Sequence, residues 1–301
     1  MLRPERMTTT KSTNGVEGRV VWAPVKSIWF SSMAAIALLY GPSTFSWEAA
    51  FVSFLLTVST LCFGHSVGLH RLLIHRSFKA PEWLEKCMIY AGVLVGMGGP
   101  RRMVYMHEIR DWSQRQPQCH PFYIHQSHFL KDGFWNLHCE CRLENPPLFQ
   151  PEERVTGPVF YQLLDKFWMA AQLPLAAILY LCGGWGWVVW GICVRIVVSL
   201  TGHWLVGYFA HNHGEMTWRV NGASVQGYNV KGLGLLTMGE SWHNNHHAFP
   251  ESARLGLEKG QHDPGWWLLV VLSKLGLVTN LTIPKDIPER LELERVKLTL
   301  V

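Results

Sequence analysis

The sequence predicts an all-α integral membrane protein with four transmembrane helices in two hairpins and a cytoplasmic helical cap that holds a metal site. Three observations carry this prediction. Four long apolar stretches come in two pairs, and each pair is joined by a short turn without charge. Nearly all Lys and Arg lie outside those pairs, which assigns the outer segments to the cytoplasm by the positive-inside rule. Histidines far apart in sequence gather at the same ends of the apolar stretches, most densely in Trp242-His243-Asn244-Asn245-His246-His247-Ala248-Phe249-Pro250. The rival architecture is a soluble protein with four buried helices.

Composition supports the membrane reading. Of 301 residues, 48% are hydrophobic and 15 are Trp. Trp favours the membrane–water interface, where its ring is apolar and its N–H finds a partner. Seven Cys without regular spacing read as reduced thiols in a cytosolic setting. Met1 to Lys26 carries no cleavable signal pattern. The net charge of +5 is mild, and no basic run is interleaved with aromatics, so nucleic acid is not expected as a partner.

Residues 1–24 are polar and basic and read as a flexible cytoplasmic arm. Spans follow at about 25–41 and 47–67, joined by the turn Gly41-Pro42-Ser43-Thr44. Residues 70–166 are mixed, charged and His-rich. Within them Met88 to Met97 is too short and Gly-rich to span and reads as an interfacial or buried helix. Spans three and four cover about 167–182 and 185–206, with Gly183-Gly184 as their turn. Arg195 lies about ten residues, or about 15 Å, into the fourth span, where a charge is costly and needs a partner; no acidic residue in the spans offers one. Gly265 to Val278 is interfacial. Residues 281–301 form a charged tail, helical from Pro284, and residues 25–280 form the main domain.

His243, His246 and His247 recur at i, i+3 and i+4. On an α-helix they share one face and aim at one point. Imidazole ligands suit Zn, Cu, Fe and Ni, and the bland alternative is a polar surface patch. Two more histidine clusters exist: His70-Arg71-Leu72-Leu73-Ile74-His75-Arg76-Ser77-Phe78, and His107-Glu108-Ile109-Arg110-Asp111-Trp112.

With these three clusters, residues 25–280 resemble the membrane-bound fatty acid desaturases of the acyl-CoA desaturase, delta-9 type. That family carries three histidine boxes of the form HxxxxH, HxxHH and HxxHH. The resemblance implies four spanning helices and a cytoplasmic site for two iron ions. It assigns as ligands His70, His75, His107, His243, His246 and His247, together with His211 after the fourth span. The family has an Asn four residues before that last histidine, holding an iron-bound water; Gly207 stands there in this chain.

The second box departs from the pattern, with Arg110 and Asp111 where two histidines are expected. Asp111 is at i+4 from His107 and can still face the metals, so it is expected to ligate as a carboxylate. Arg110 stays protonated and cannot ligate; pairing with Asp111 or Glu108 is the role open to it. The competing expectation is a degenerate site. His120, His125, His128 and His138 could replace a ligand, contact substrate or belong to a polar loop. His203 either points inward or packs at a helix end. His138-Cys139-x-Cys141 is too compact for a zinc site and reads as structural.

The activity that the resemblance implies is O2-dependent. Two hydrogens leave a saturated acyl chain as a cis double bond forms, at the delta-9 position. A methylene C–H bond is beyond side-chain acid–base chemistry, so a cofactor must supply the oxidant. The implied partners are a fatty acyl substrate carried on CoA, ACP or lipid, O2, membrane lipid, and a separate electron donor such as a ferredoxin or cytochrome b5. The chain contains no His-Pro-Gly-Gly haem motif. Both termini and the metal site are expected on the cytoplasmic side, whose basic surface suits an acidic donor. A related fatty acyl hydroxylase and a non-catalytic homologue remain the alternatives.

Overall fold

The computed structural model describes residues 5–296, so Met1 to Pro4 of the expected arm and residues 297–301 of the expected tail lie outside the described residues. The chain is mostly helical, but it is not purely α: three small antiparallel sheets of two strands each tie its outer segments together.

The described part of the arm is ordered rather than flexible. Strand β1 (Met7–Thr8) and strand β2 (Gly18–Trp22) precede the first helix. Each pairs with a distant strand, as described below. Arg6 is fully buried beside them. Helix α1 (Pro24–Tyr40) starts with Pro in its first turn, where a missing N–H costs nothing.

Helix α2 (Trp47–Ser59) is capped by the Ser46 side chain, which accepts from Ala49 N. It continues as a π-helix over Thr60–Ile74, and that segment carries the first histidine box. In a π-helix the hydrogen bonds run from i to i+5, and His75 N donates to His70 O at 3.0 Å. A spacing of five therefore stacks His70 and His75 on one face. The same spacing on an α-helix would turn them well apart.

Helix α3 (Glu82–Val93) packs on this π-helix almost backbone to backbone. A Cβ at Gly64 would stand 2.4 Å from the Ala91 carbonyl carbon and from Gly92 N, so only Gly fits there. The segment expected as an interfacial or buried helix is thus buried against the first box. Helix α4 (Pro100–Arg115) carries the second box. Then come α5 (Phe129–His138), strand β3 (Cys139–Leu143), strand β4 (Leu148–Phe149), α6 (Glu153–Thr156) and α7 (Val159–Lys166). β3 pairs with β2 from Gly18↔Leu143 to Trp22↔Cys139, and β4 pairs with β1. Cys139 and Cys141 are therefore sheet residues.

Helix α8 (Gln172–Val188), a π-helical turn at Val189–Val194 and helix α9 (Arg195–Asn212) are continuous by hydrogen bonding. Gly184, however, has φ 66° and ψ −161°, a conformation open essentially to Gly alone. On a straight helix Gln172 and Arg195 would be about 35 Å apart. Instead Arg195 Nη2 donates to Gln172 Oε1 at 2.7 Å, so the chain reverses at Gly184. This contact also gives Arg195 its partners. Its Nη1 donates to Leu94 O and its Nε to Gly191 O, both at 2.6 Å. The buried guanidinium is satisfied by carbonyl groups, without an acid.

Strand β5 (Trp218–Val220), helix α10 (His243–Ala248), helix α11 (Pro264–Lys274) and strand β6 (Leu293–Arg295) complete the described chain. β6 pairs with β5. The tail expected to be helical is therefore a strand, preceded by a short 3₁₀ turn at Pro284–Asp286. Pairing with β5 is a long-range contact that a local charge pattern does not disclose.

Two stretches, Trp47–Ile74 and Gln172–Asn212, are long and apolar enough to cross a membrane, and Pro24–Tyr40 is apolar but shorter. Large apolar side chains on these helices, including Leu38, Trp47, Phe51, Leu181 and Trp185, are exposed. Exposed apolar surface on this scale marks a contact with something other than water.

Candidate metal centre

Seven of the eight expected ligands meet in two groups, the first buried and the second partly buried. His70, His75, His107 and His246 form one; His211, His243 and His247 form the other. Within each group the donor atoms all lie within 4.8 Å of one another. His70 Nε2 stands 3.4 Å from His246 Nε2, His75 Nε2 is 3.3 Å from His107 Nε2, and His243 Nε2 is 3.1 Å from His247 Nε2. Nitrogens bound about 2.1 Å from one ion lie roughly 3.0–3.4 Å apart at octahedral or tetrahedral angles. The imidazoles therefore fit a metal ion in each group.

The third box does not aim at one point, as its helical spacing alone predicts. His243 and His247 share a face at i and i+4. His246 is turned by about 100° from His247 and joins the other group. α10 is a short helix, and the two asparagines between its histidines hold it. Asn244 Oδ1 accepts from Thr217 N and Trp218 N, both at 2.8 Å, and its Nδ2 donates to Trp218 O and Gly227 O. Asn245 Nδ2 donates to Leu255 O and Gln261 Oε1, both at 2.8 Å. Asn229 Oδ1 accepts from the backbone N–H of both.

The first box is held from two sides. Glu240 Oε2 lies 2.9 Å from His70 Nδ1, and Ser66 Oγ donates to Glu240 Oε1 at 2.5 Å. A carboxylate on Nδ1 turns Nε2 toward the metal. Burial pushes the Glu240 carboxyl up, but His70, Arg71 and Ser66 outweigh it and hold the group at about 2. Arg71, fully buried, donates to Asp263 Oδ1 at 2.8 Å and to Ala253 O at 3.0 Å. Arg6 reaches the opposite end. Its Nη1 donates to Ile74 O and Glu108 Oε1, both at 2.8 Å, its Nη2 to Leu73 O, and its Nε to Glu152 Oε2 at 2.6 Å. One side chain thus ties the end of the first box to the residue after His107.

Burial, reinforced by the neighbouring histidines, holds His243 well below the usual histidine range. Burial also holds His247 at about 4, against the opposing pull of Asp111. Both rings are neutral at pH 7 and keep a lone pair for a metal. His211 Nδ1 donates to Gly207 O at 2.7 Å, so its Nε2 carries the ring lone pair.

Asp111, the eighth expected ligand, stands outside both groups. Its Oδ1 is 3.5 Å from His107 Nδ1, the nitrogen that faces away from the metal, and its Oδ2 is 3.9 Å from Arg115. Of the two acids open to Arg110, Glu108 is bound by Arg6 and Asp111 lies 3.9 Å from Arg115.

His125 stacks on His211 with centroids 5.1 Å apart, and its Nδ1 is 3.0 Å from Asp132 Oδ1. Its ring lies against Gly207, 3.4 Å from where a Cβ would be. His120 Nδ1 accepts from Phe122 N, His138 Nδ1 meets Ser27 Oγ at 2.9 Å, and His128 precedes α5. His203 packs edge-on against His65. Sequence reasoning missed Glu240, Arg6 and Gln114 at this site. Only Gln114 had a local signal, since residues 107, 111 and 114 fall on one face of α4.

The family profile for fatty acid desaturases matches residues 45–259. The chain is 36% identical over 265 residues to the sn-1 stearoyl-lipid 9-desaturase of Anabaena variabilis, covering 86% of this chain and 93% of that one. It is 33% identical over 265 residues to the acyl-CoA C20 delta5-desaturase of Anemone leveillei, covering 85% and 80%. It is 33% identical over 285 residues to the chloroplastic palmitoyl-monogalactosyldiacylglycerol delta-7 desaturase of Arabidopsis thaliana, covering 89% and 73%. The profile spans most of the chain, and seven histidines that could hold metal are gathered in two groups. By both measures the chain belongs to the fatty acid desaturase family and is an oxidoreductase.

Proposed function

We propose that the protein is an O2-dependent acyl desaturase that introduces a cis double bond at position 9 of a saturated fatty acyl chain. The carrying observation is the convergence of seven histidines, drawn from three boxes and α9, into two adjoining groups. In this reading each group holds one iron ion. His70, His75, His107 and His246 serve the first, and His211, His243 and His247 the second. When bound, the irons supply the oxidant that C–H removal requires. Asp111 is kept in this reading as the carboxylate expected to ligate, its Oδ1 3.5 Å from His107 Nδ1. A protein with Asp111→Ala that retains all its iron and activity would remove it from the site.

The chain's own residues do the rest. Glu240 and Arg6 fix the rings before any ion arrives. The buried setting keeps the imidazoles neutral and excludes water from the oxidant. Position 9 is favoured by the stearoyl-lipid 9-desaturase of Anabaena variabilis, which is covered over 93% of its length. A lipid-linked acyl chain suits this reading best, with CoA and ACP as the other carriers to compare.

The membrane arrangement we propose has four spans at about 25–41, 47–67, 167–182 and 185–206, paired as two hairpins within a desaturase domain of residues 25–280. The reversal at Gly184 and the exposed apolar side chains of α1, α2 and α8 support it. The cap and both termini are then cytoplasmic, where a separate electron donor such as a ferredoxin or cytochrome b5 can reach the site.

The test is the fatty acid profile, by gas chromatography and mass spectrometry, of a host expressing the wild type beside one expressing His246→Ala. New delta-9 monounsaturated chains only with the wild type are expected. Double bonds at position 5 or 7 would change the regiochemistry, and hydroxylated chains would replace desaturation by hydroxylation. No product, with a compatible donor present and the protein in the membrane, would refute the reading.

A further inference from the structure

The two histidine groups are unequal: one offers four donors and the other three. The shortfall is on the side of His211, His243 and His247, and the nearest unexplained polar group there is Gln114. This side chain is 2% exposed. Its Nε2 donates to Tyr123 O at 2.8 Å and lies 3.1 Å from His211 Nε2. Since His211 Nδ1 donates to Gly207 O, the Nε2 of His211 can only accept, and the amide N–H donates to it. The lone pair that a metal would use is therefore held by Gln114.

The other end of the amide is unsatisfied. Gln114 Oε1 is buried with no hydrogen-bond partner among the described residues. A buried acceptor without a donor is costly, and such an atom beside a cluster of metal-ready imidazoles points to an ion. Gln114 also lines a cavity of about 10 Å³ with Asp111, Arg115, His246 and His247, room for little more than one water.

We propose that Gln114 is the fourth protein ligand of the three-histidine centre, binding the ion through its carboxamide oxygen. The inference rests on the two-iron reading above. A cation on His211 Nε2 would face the amide N–H, and like-signed dipole and charge repel. A half-turn of the amide exchanges its nitrogen and oxygen without changing its shape. Oε1 then takes the position now 3.1 Å from His211 Nε2, the same spacing as His243 and His247 show. The N–H groups turn toward the cavity that the Asp111 carboxylate lines. The turn gives up the hydrogen bond to Tyr123 O and leaves Oε1 about 2.8 Å from that carbonyl oxygen, a repulsion that the cation between Oε1 and His211 must outweigh. In exchange it satisfies the buried oxygen with a cation, the partner a hard oxygen donor prefers. An amide oxygen is neutral, so the centre gains a fourth ligand without an added charge.

The experiment uses the full chain, purified in detergent and loaded anaerobically with Fe(II). Iron per chain is measured by mass spectrometry, and the two sites are resolved by Mössbauer spectroscopy. The wild type is expected to bind two irons with two distinct signals. Gln114→Leu is expected to weaken one site by roughly 10–100-fold and leave the four-histidine signal unchanged, which also reports an intact fold. Gln114→Glu keeps an oxygen at the same place and is expected to retain both irons with an altered signal at the three-histidine site. If Gln114→Leu loses both irons through misfolding, Gln114→Glu decides. The proposal is overturned if Gln114→Leu keeps two irons with unchanged signals. It is equally overturned if Gln114→Glu leaves the three-histidine signal unaltered or loses that iron. A wild type that binds fewer than two irons overturns the two-iron reading instead.

Discussion

Replacing Arg6 by Ala is expected to destabilise the protein and loosen the candidate metal centre, although Arg6 is only the sixth residue. The guanidinium is buried and holds Glu108, Glu152 and the carbonyls of Leu73 and Ile74. Without it, Glu108 loses its 2.8 Å guanidinium partner in a nearly inaccessible position. Removing one partner of a buried ion pair costs about 3–5 kcal/mol. Glu152 is more exposed and can recover water, so it adds less. Thermal unfolding in detergent should fall by roughly 10 °C, at about 2–4 °C per kcal/mol. Adding Glu108→Gln to Arg6→Ala should restore part of that loss, because it removes the buried charge. Iron affinity should also drop, since Arg6 spans the end of the first box and the start of the second. Melting of Arg6→Ala within 2 °C of wild type, with iron content unchanged, would refute this account of the arm.

Two further predictions rest on single residues. Burial raises the Glu152 carboxyl, but its bonds to Arg6 and its own backbone outweigh this and hold it below the usual value of 4.5. A depressed folded pKa contributes stability above pH 4.5 that disappears as pH falls through the folded value. The melting temperature of Glu152→Gln should therefore lie below wild type at pH 7 and converge with it in acid; a gap that persists once the carboxyl is protonated in the folded protein would contradict this. Gly184→Ala should cost about 1–3 kcal/mol. Nothing lies within 4 Å of its Cβ position, so the whole cost is backbone conformation, and an unchanged unfolding midpoint would show that the reversal needs no Gly.

The histidine boxes were legible because metal ligands obey local spacing, and seven histidines of the expected set lie in two clusters of donor atoms. The division of the third box was not legible. It depends on how α10 sits between two centres, and the asparagine bonds to Trp218, Gly227 and Leu255 that fix it are long-range. The π-helix beneath His70 and His75 was hidden for another reason: a spacing of five reads as two faces on the α-helix that local propensity favours. Asp111 was assigned by helix face alone, and that face places its carboxylate 3.5 Å from His107 Nδ1. The ordered arm is the clearest limit. Its polar composition indicates flexibility, and only partners in β3, β4, α4 and α6 reverse that.

The four-histidine group joins His70 to His246, residues 176 apart in the chain. At synthesis rates of about 5–20 residues per second, roughly 9–35 s separate the emergence of these two ligands. During that interval the earlier apolar helices are complete while His70, His75 and His107 wait without their fourth partner. In the two-iron reading, metal loading is therefore a late event: a chain ending before α10 would keep the apolar helices that precede it and lack His243, His246 and His247, which both histidine groups need.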